Sequence, residues 1–218
     1  MNMDIAARNG AQRRSEDPRI ERTRARLAEA VIALAAERDI TTASVSELTR
    51  RAGVNRSTFY AHADTPVELL TRVLAAELDE VRQHTMEQLD RDGLLLRDLT
   101  RSTMQEIVAH VVRHEAVYGS LNRISSVFAL RIVLAEHIEQ SVRIILREGF
   151  VVPPDTGPDA AQLYAAFIAH GAVGAVEAWL HLPAPRDEHL LLASIEAMHP
   201  SWYAPARAIP SRTRGETP

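Results

Sequence analysis

The sequence predicts an all-α protein, and three observations carry that prediction. Apolar residues recur at three- and four-residue spacing through long windows, as in Leu69, Leu70, Val73, Leu74, Leu78 and Val81. No window alternates apolar with polar residues as a half-buried strand does. Aromatic content is only 5%, Ala and Leu are abundant, and most Gly and Pro fall between the periodic windows.

Composition narrows the function before any motif is read. The 218 residues are 46% apolar, enough for a sizeable core arranged as one large or two small domains. Cysteine is absent, which excludes a disulfide framework and a thiolate metal site. The N-terminus lacks a signal-peptide pattern, and no run of about 18 apolar residues stands out as a membrane span, so a cytoplasmic location is expected. Net charge is -4, yet it is unevenly spread. Residues 1–62 hold 11 Arg against 8 acidic residues, while the remainder holds 14 against 21. One end is therefore basic on an acidic protein, which points to a local rather than a general affinity for polyanions.

Taken in order, residues 1–16 lack apolar periodicity and read as a flexible arm carrying Arg8, Arg13 and Arg14. Asp17 and Pro18 supply a cap and a first-turn proline for a helix to about Arg38, with Leu27, Ala30, Val31 and Leu34 as its core stripe. Arg19, Arg22 and Arg26 are left facing outward. Ser44 and Glu47 have capping-box spacing, so a second helix starts at about Val45 and buries Val45, Leu48 and Ala52. Gly53 ends it through the positive φ that glycine tolerates. Asn55 caps a third, short helix anchored by Phe59. Thr65, Pro66 and Glu68 form another capping box, which starts a long fourth helix running to about Asp90. Gly93 precedes a helix to about His114, then a short one around 117–123 and a long one from Ser126 to Arg147. After a breaker cluster at Gly149, Pro153, Pro154, Gly157 and Pro158, the helix from Asp159 to about His181 is dense in Ala and Gly. Arg186 to Met198 is the last helix, and 199–218 reads as a flexible tail.

The helix, Gly turn, helix unit from Ser44 to His62 is read as a helix-turn-helix that enters a major groove of double-stranded DNA. Arg56, Ser57, Thr58 and Tyr60 lie in the first turns after the Asn55 cap, where a DNA-reading helix meets base edges and phosphates. Arg56, Ser57 and Tyr60 are placed nearest the bases, and Thr58 and His62 nearer phosphates. The hydroxyls of Thr42 and Ser44, just before the preceding helix, complete the DNA-facing set.

The run AGVNRSTFYAH followed by a capped helix resembles the N-terminal domain of the TetR family of bacterial transcriptional regulators. The resemblance spans roughly residues 20 to 75 and is carried by Ala52, Gly53, Val54, Thr58, Phe59, Tyr60 and His62. Thr49, Ala63, Pro66 and Asp39 stand where the family usually has an alanine, an aromatic, a lysine and a glycine. The Ala63 departure predicts a looser joint between the third and fourth helices, and Pro66 one phosphate contact fewer. The resemblance implies a helix-turn-helix DNA-binding domain over 17–64 and a larger helical effector-binding and dimerisation domain over 65–198. It also implies a homodimer on a palindromic operator, most often as a repressor, an unidentified small-molecule effector, and neither cofactor, membrane nor catalysis. The effector pocket is expected on the middle helices, lined by Met104, Val108, Val111, Phe128, Tyr164, Phe167 and His170. The dimer is expected through the small-residue helix 159–181 and the last helix.

Two other readings compete. His110 and His114 are spaced i, i+4 with Glu106 a turn earlier, the pattern of a helical metal-dependent enzyme, although no HExxH motif accompanies them and no metal is expected. The chain could instead be a dimeric ligand-binding or interaction module that has lost DNA affinity through Ala63 and Pro66.

Overall fold

The computed structural model describes residues 18–89, 96–119, 129–157 and 159–203. The described residues fold as helices and connecting turns, with no strand among them. In chain order these are α1 (Pro18–Glu37), a 3₁₀ turn (Ile40–Thr42), α2 (Val45–Ala52), α3 (Arg56–Tyr60), α4 (Pro66–Leu89), α5 (Leu96–Arg113) and α6 (Glu115–Tyr118). A π-helical turn (Ala129–Leu134) then runs into α7 (Ala135–Arg147), followed by α8 (Ala160–Leu180) and α9 (Glu188–Met198). Residues 120–128 lie outside the described residues, and with them the expected helix end at Arg123 and helix start at Ser126.

Local chemistry sets the helix bounds. Asn55 and Asp187 cap α3 and α9 with side-chain oxygens, Asp187 accepting from the N–H groups of His189 and Leu190 at 2.9 and 3.1 Å. Ser44 Oγ accepts from the Glu47 N–H at 3.2 Å, but the return half of that expected capping box is missing. The Glu47 carboxylate is drawn instead to Arg38 at the end of α1. The second box is displaced by one residue: Thr65 Oγ1 accepts from the Glu68 N–H at 3.1 Å, while Glu68 returns to the N–H of Asp64 at 2.8 Å rather than to Thr65. Gly53 has φ +63°, the left-handed conformation, and the Val54 N–H closes back on the Thr49 carbonyl at 3.0 Å.

α1 packs on both α2 and α4, burying Leu27, Val31 and Leu34 against Leu48, Phe59 and Leu74 in one continuous core. α4 leaves this cluster and continues along α5, burying Leu78 on the way. α6 packs back on α1, so α1 meets the rest of the molecule at α4 and at α6. α7 and α8 form the most extensive helix pair, and α9 closes over α8 and α5. Glu196 of α9 accepts from Arg97 Nε at 3.0 Å and pairs with Arg101, both on α5.

α8 corrects one reading of the sequence. It is long and apolar enough to cross a membrane, since a single carboxylate, Glu177, interrupts its apolar and small residues. Nearly half of its apolar window is buried against the protein, Ile168, Val173, Val176 and Trp179 among it, as in a helix that packs within a fold.

Candidate functional site

α3 is five residues long, so it takes its shape from its cap and from one buried anchor. Asn55 Oδ1 accepts from the Thr58 N–H at 2.7 Å, the Thr58 hydroxyl at 2.8 Å and the Ser57 hydroxyl at 2.7 Å. Phe59 fills the core, and the Tyr60 ring stands edge-on to it at 5.5 Å. The opposite face presents Arg56, Ser57 and Tyr60 to solvent, Tyr60 at 55% exposure. Ser57 and Thr58 spend their hydroxyl protons on the cap. Their oxygens keep lone pairs for amino groups on base edges, whereas donation to a phosphate requires release from Asn55.

The arginines around α3 are largely committed. Arg56 donates to Ser46 Oγ, tying the recognition face to α2. Arg51 grips Glu37, Nη1 to Oε2 at 2.7 Å, and that bond holds the Glu37 carboxyl below its ordinary range and pushes Arg51 up. The Arg26 guanidinium lies where a Cβ on Gly53 would meet it at 2.9 Å, so this arginine covers the turn instead of standing clear of the body. Surface pairs of this kind add little stability and exchange readily for a phosphate. Arg50 is exposed beside them.

Thr42 is exposed and donates to the Asp39 carbonyl at 2.7 Å, and Ser44 is exposed as the cap of α2. His62 is half-buried, and its carbonyl accepts from Arg72 Nη1 at 2.5 Å while Arg72 Nη2 reaches Glu68 at 2.5 Å. This Arg72 staple joins the end of α3 to α4, and the sequence signals it only as an i, i+4 Glu–Arg pair. The Glu68 carboxyl is held low chiefly by the Asp64 N–H. Ala63 is buried against the core and Pro66 is buried as well, so the joint expected to be loose is a packed one.

The expected pocket residues scatter. Met104 borders a narrow cavity of about 40 Å³ between α5, α7 and α8, with Ile107, Ile138 and Ile168. Val108 and Val111 are plain core. Tyr164 stacks edge-on to Trp202 at 5.0 Å. Phe167 and His170 project outward from α8, Phe167 at 74% exposure, because their positions fall opposite the stripe that packs on α7. Phe128 lies outside the described residues. A roomier cleft of about 500 Å³ opens between α4 and α7, lined by Thr71, Asp79, Arg82, Glu136, His137 and Arg143 among others. His137 is buried there with neither ring nitrogen hydrogen-bonded, and burial, with Arg82 and His110 adding to it, pushes its pKa down to about 3. The sequence does place a histidine in the buried stripe of a helix, but the facing wall comes from α4, 55 residues away along the chain at Arg82.

No family model matches the chain, and no curated protein matches it. Solved structures do. A fatty acid degradation regulator FadR from Bacillus halodurans superposes with a TM-score of 0.57 at 12% identity, covering 84% of this chain and 99% of its own. A TetR transcriptional regulator from Streptococcus agalactiae superposes at 0.53 with 21% identity, covering 83% and 94%. RolR, solved in complex with resorcinol, superposes at 0.51 with 20% identity, covering 83% and 88%. The fold is that of the TetR regulators. Glu106, expected beside His110 and His114, lies instead 3.0 Å from His84 on α4.

Proposed function

We propose that this chain is a non-enzymatic TetR-family transcriptional regulator, a cytoplasmic homodimer that represses from a palindromic operator and is released by a small-molecule effector. The observation that carries the reading is the face of α3. A short helix is held rigidly by Asn55 and Phe59, and it turns Arg56, Ser57 and Tyr60 outward at the basic end of an acidic protein. Residues 17–64 act as the reading head in this proposal, and 65–198 as the effector-binding and dimerisation part. Thr42, Ser44 and His62 flank that face on the phosphate side in this proposal, and Thr58 joins them once its hydroxyl is released from Asn55.

The outer face of α8 supports the dimer. Leu163, Phe167, Gly171 and Gly174 line it in exposed positions, with Met198 of α9 beside them. A Cβ added at Gly171 or Gly174 would meet nothing within 4 Å, which leaves room for a partner helix to come close. Two reading heads about 34–36 Å apart then fit successive major grooves. RolR carries resorcinol, and the α4 to α7 cleft with its unpartnered His137 offers this chain a place for a small polar effector. The test is immunoprecipitation of the protein with genomic DNA followed by sequencing. Enrichment of a palindromic site is expected, and enrichment that tracks only overall accessibility would refute the reading.

A further inference from the structure

A third group joins the two histidines of α5, and it comes from a different helix. Glu77 Oε2 on α4 lies 2.8 Å from His114 Nε2 and 3.2 Å from His110 Nδ1, and the three groups offer ligand atoms all within 4.8 Å of one another. Both histidines are buried, His110 to 2% exposure. The Nδ1 of His110 makes no well-formed hydrogen bond, although the Glu77 carboxylate lies 3.2 Å away. A buried polar nitrogen left so is unfavourable until something ligates it. Its other nitrogen, Nε2, lies 2.8 Å from the hydroxyl of Tyr118 on α6. Burial raises that phenol's pKa, so the hydroxyl stays neutral and fixes the ring.

We propose that Glu77, His110 and His114 form a binding site for one divalent transition-metal ion of the zinc class. The donor set of two imidazoles and one carboxylate suits zinc, cobalt or nickel rather than calcium or magnesium, which prefer oxygen shells. Ligand atoms around a tetrahedral zinc stand about 3.3–3.5 Å apart, given bonds of about 2.0–2.1 Å, so the present spacings need to open by roughly half an ångström at Glu77 and His114. The Tyr118 hydroxyl then does what outer partners of ligating histidines do: it accepts the Nε2 proton and leaves Nδ1 to the metal. Arg113 Nη1, 3.5 Å from Glu77, is the competing cation, and its exposed side chain can leave. Solvent supplies any remaining ligand. The ion would join α4 to α5, with α6 held through Tyr118, and α4 and α6 are the helices on which α1 packs. Its effect on DNA rests on the regulator reading above; the metal site does not.

The test uses the full-length protein, dialysed against a chelator and titrated with Co²⁺. Visible d–d absorption saturating at one equivalent per chain is expected, displaced by Zn²⁺, and Zn²⁺ should raise the Tm. Glu77→Gln and His114→Gln should weaken binding about 100-fold, whereas His84→Gln, in the neighbouring His84 and Glu106 pair, should leave it unchanged. If a cluster variant fails to fold by circular dichroism, the wild-type stoichiometry and Tm shift decide alone. Absence of d–d absorption in the wild type, or undiminished affinity in both folded cluster variants, would overturn the site whether or not the protein binds an operator.

Discussion

At the scale of single residues, the exposed face of α3 separates a group that holds shape from groups that the proposed function assigns to reading DNA. Asn55 holds shape: its one oxygen organises Ser57 and Thr58, so Asn55→Ala should lower stability by about 1 kcal/mol as other lost caps do. Arg56 and Tyr60 are the proposed readers. Arg56→Ala and Tyr60→Ala should each weaken the specific operator by about 1–3 kcal/mol while leaving nonspecific binding nearly unchanged. Competitive titration of operator and scrambled duplexes measures this, and an unchanged ratio in both variants would remove α3 from the groove. Ala63 answers to a different rule. The sequence invites an aromatic there to tighten the joint, but Ala63 is 3% exposed, with core around it. Ala63→Phe should therefore overpack the α3 to α4 junction and destabilise the fold by about 1–3 kcal/mol, read as a lower midpoint in urea. A stabilised variant would mean that the junction has slack the packing does not show.

At the scale of elements, what was legible in the sequence is what local chemistry decides. Pro66, Asn55, Gly53 and the apolar stripe of α4 each state a helix start, stop or face within a few residues, and the observed bounds follow them closely. Glu77 was not legible as a partner of His114, 37 positions away, because only the packing of α4 on α5 brings them together. The same holds for the α4 to α7 cleft, and for Phe167, whose aromatic character suggested a pocket wall while its register on α8 turned it outward. That outward face makes the element-scale prediction. Gly174→Leu should loosen the proposed dimer and spare the protomer, since a leucine there meets nothing in its own chain. Multi-angle light scattering across a dilution series checks it: a monomeric wild type, or a variant dimer of undiminished affinity, would place the interface elsewhere.

For the whole molecule, α4 touches α1, α5 and α7, so under the proposed function an event in the α4 to α7 cleft would bear on the helix that leads to α1 to α3. A ligand that favours a displaced α4 by about 1–3 kcal/mol would change operator affinity roughly 5 to 150-fold. The same cleft predicts a stability that falls in acid. His137 is buried on α7, with Arg82 and Asp79 of α4 and Glu136, Glu139 and Arg143 of its own helix around the cleft, and His110 of α5 adding to its electrostatic surroundings. Burial is the main reason its folded pKa falls from 6.5 to about 3. Below pH 6.5 the unfolded chain takes a proton at this position that the folded chain refuses, so the stability it contributes is complete above 6.5 and declines as pH falls toward 3. The loss approaches about 1.4 kcal/mol per pH unit within that window. Urea unfolding at pH 7 and pH 5, with chelator present to keep metal out of the comparison, should show the wild type losing about 2 kcal/mol from this group. His137→Leu removes the titrating group and should flatten that part of the slope. A variant whose pH dependence matches the wild type would show that His137 is protonated in the folded protein as readily as in the unfolded chain, and that the cleft is wetter than its geometry implies.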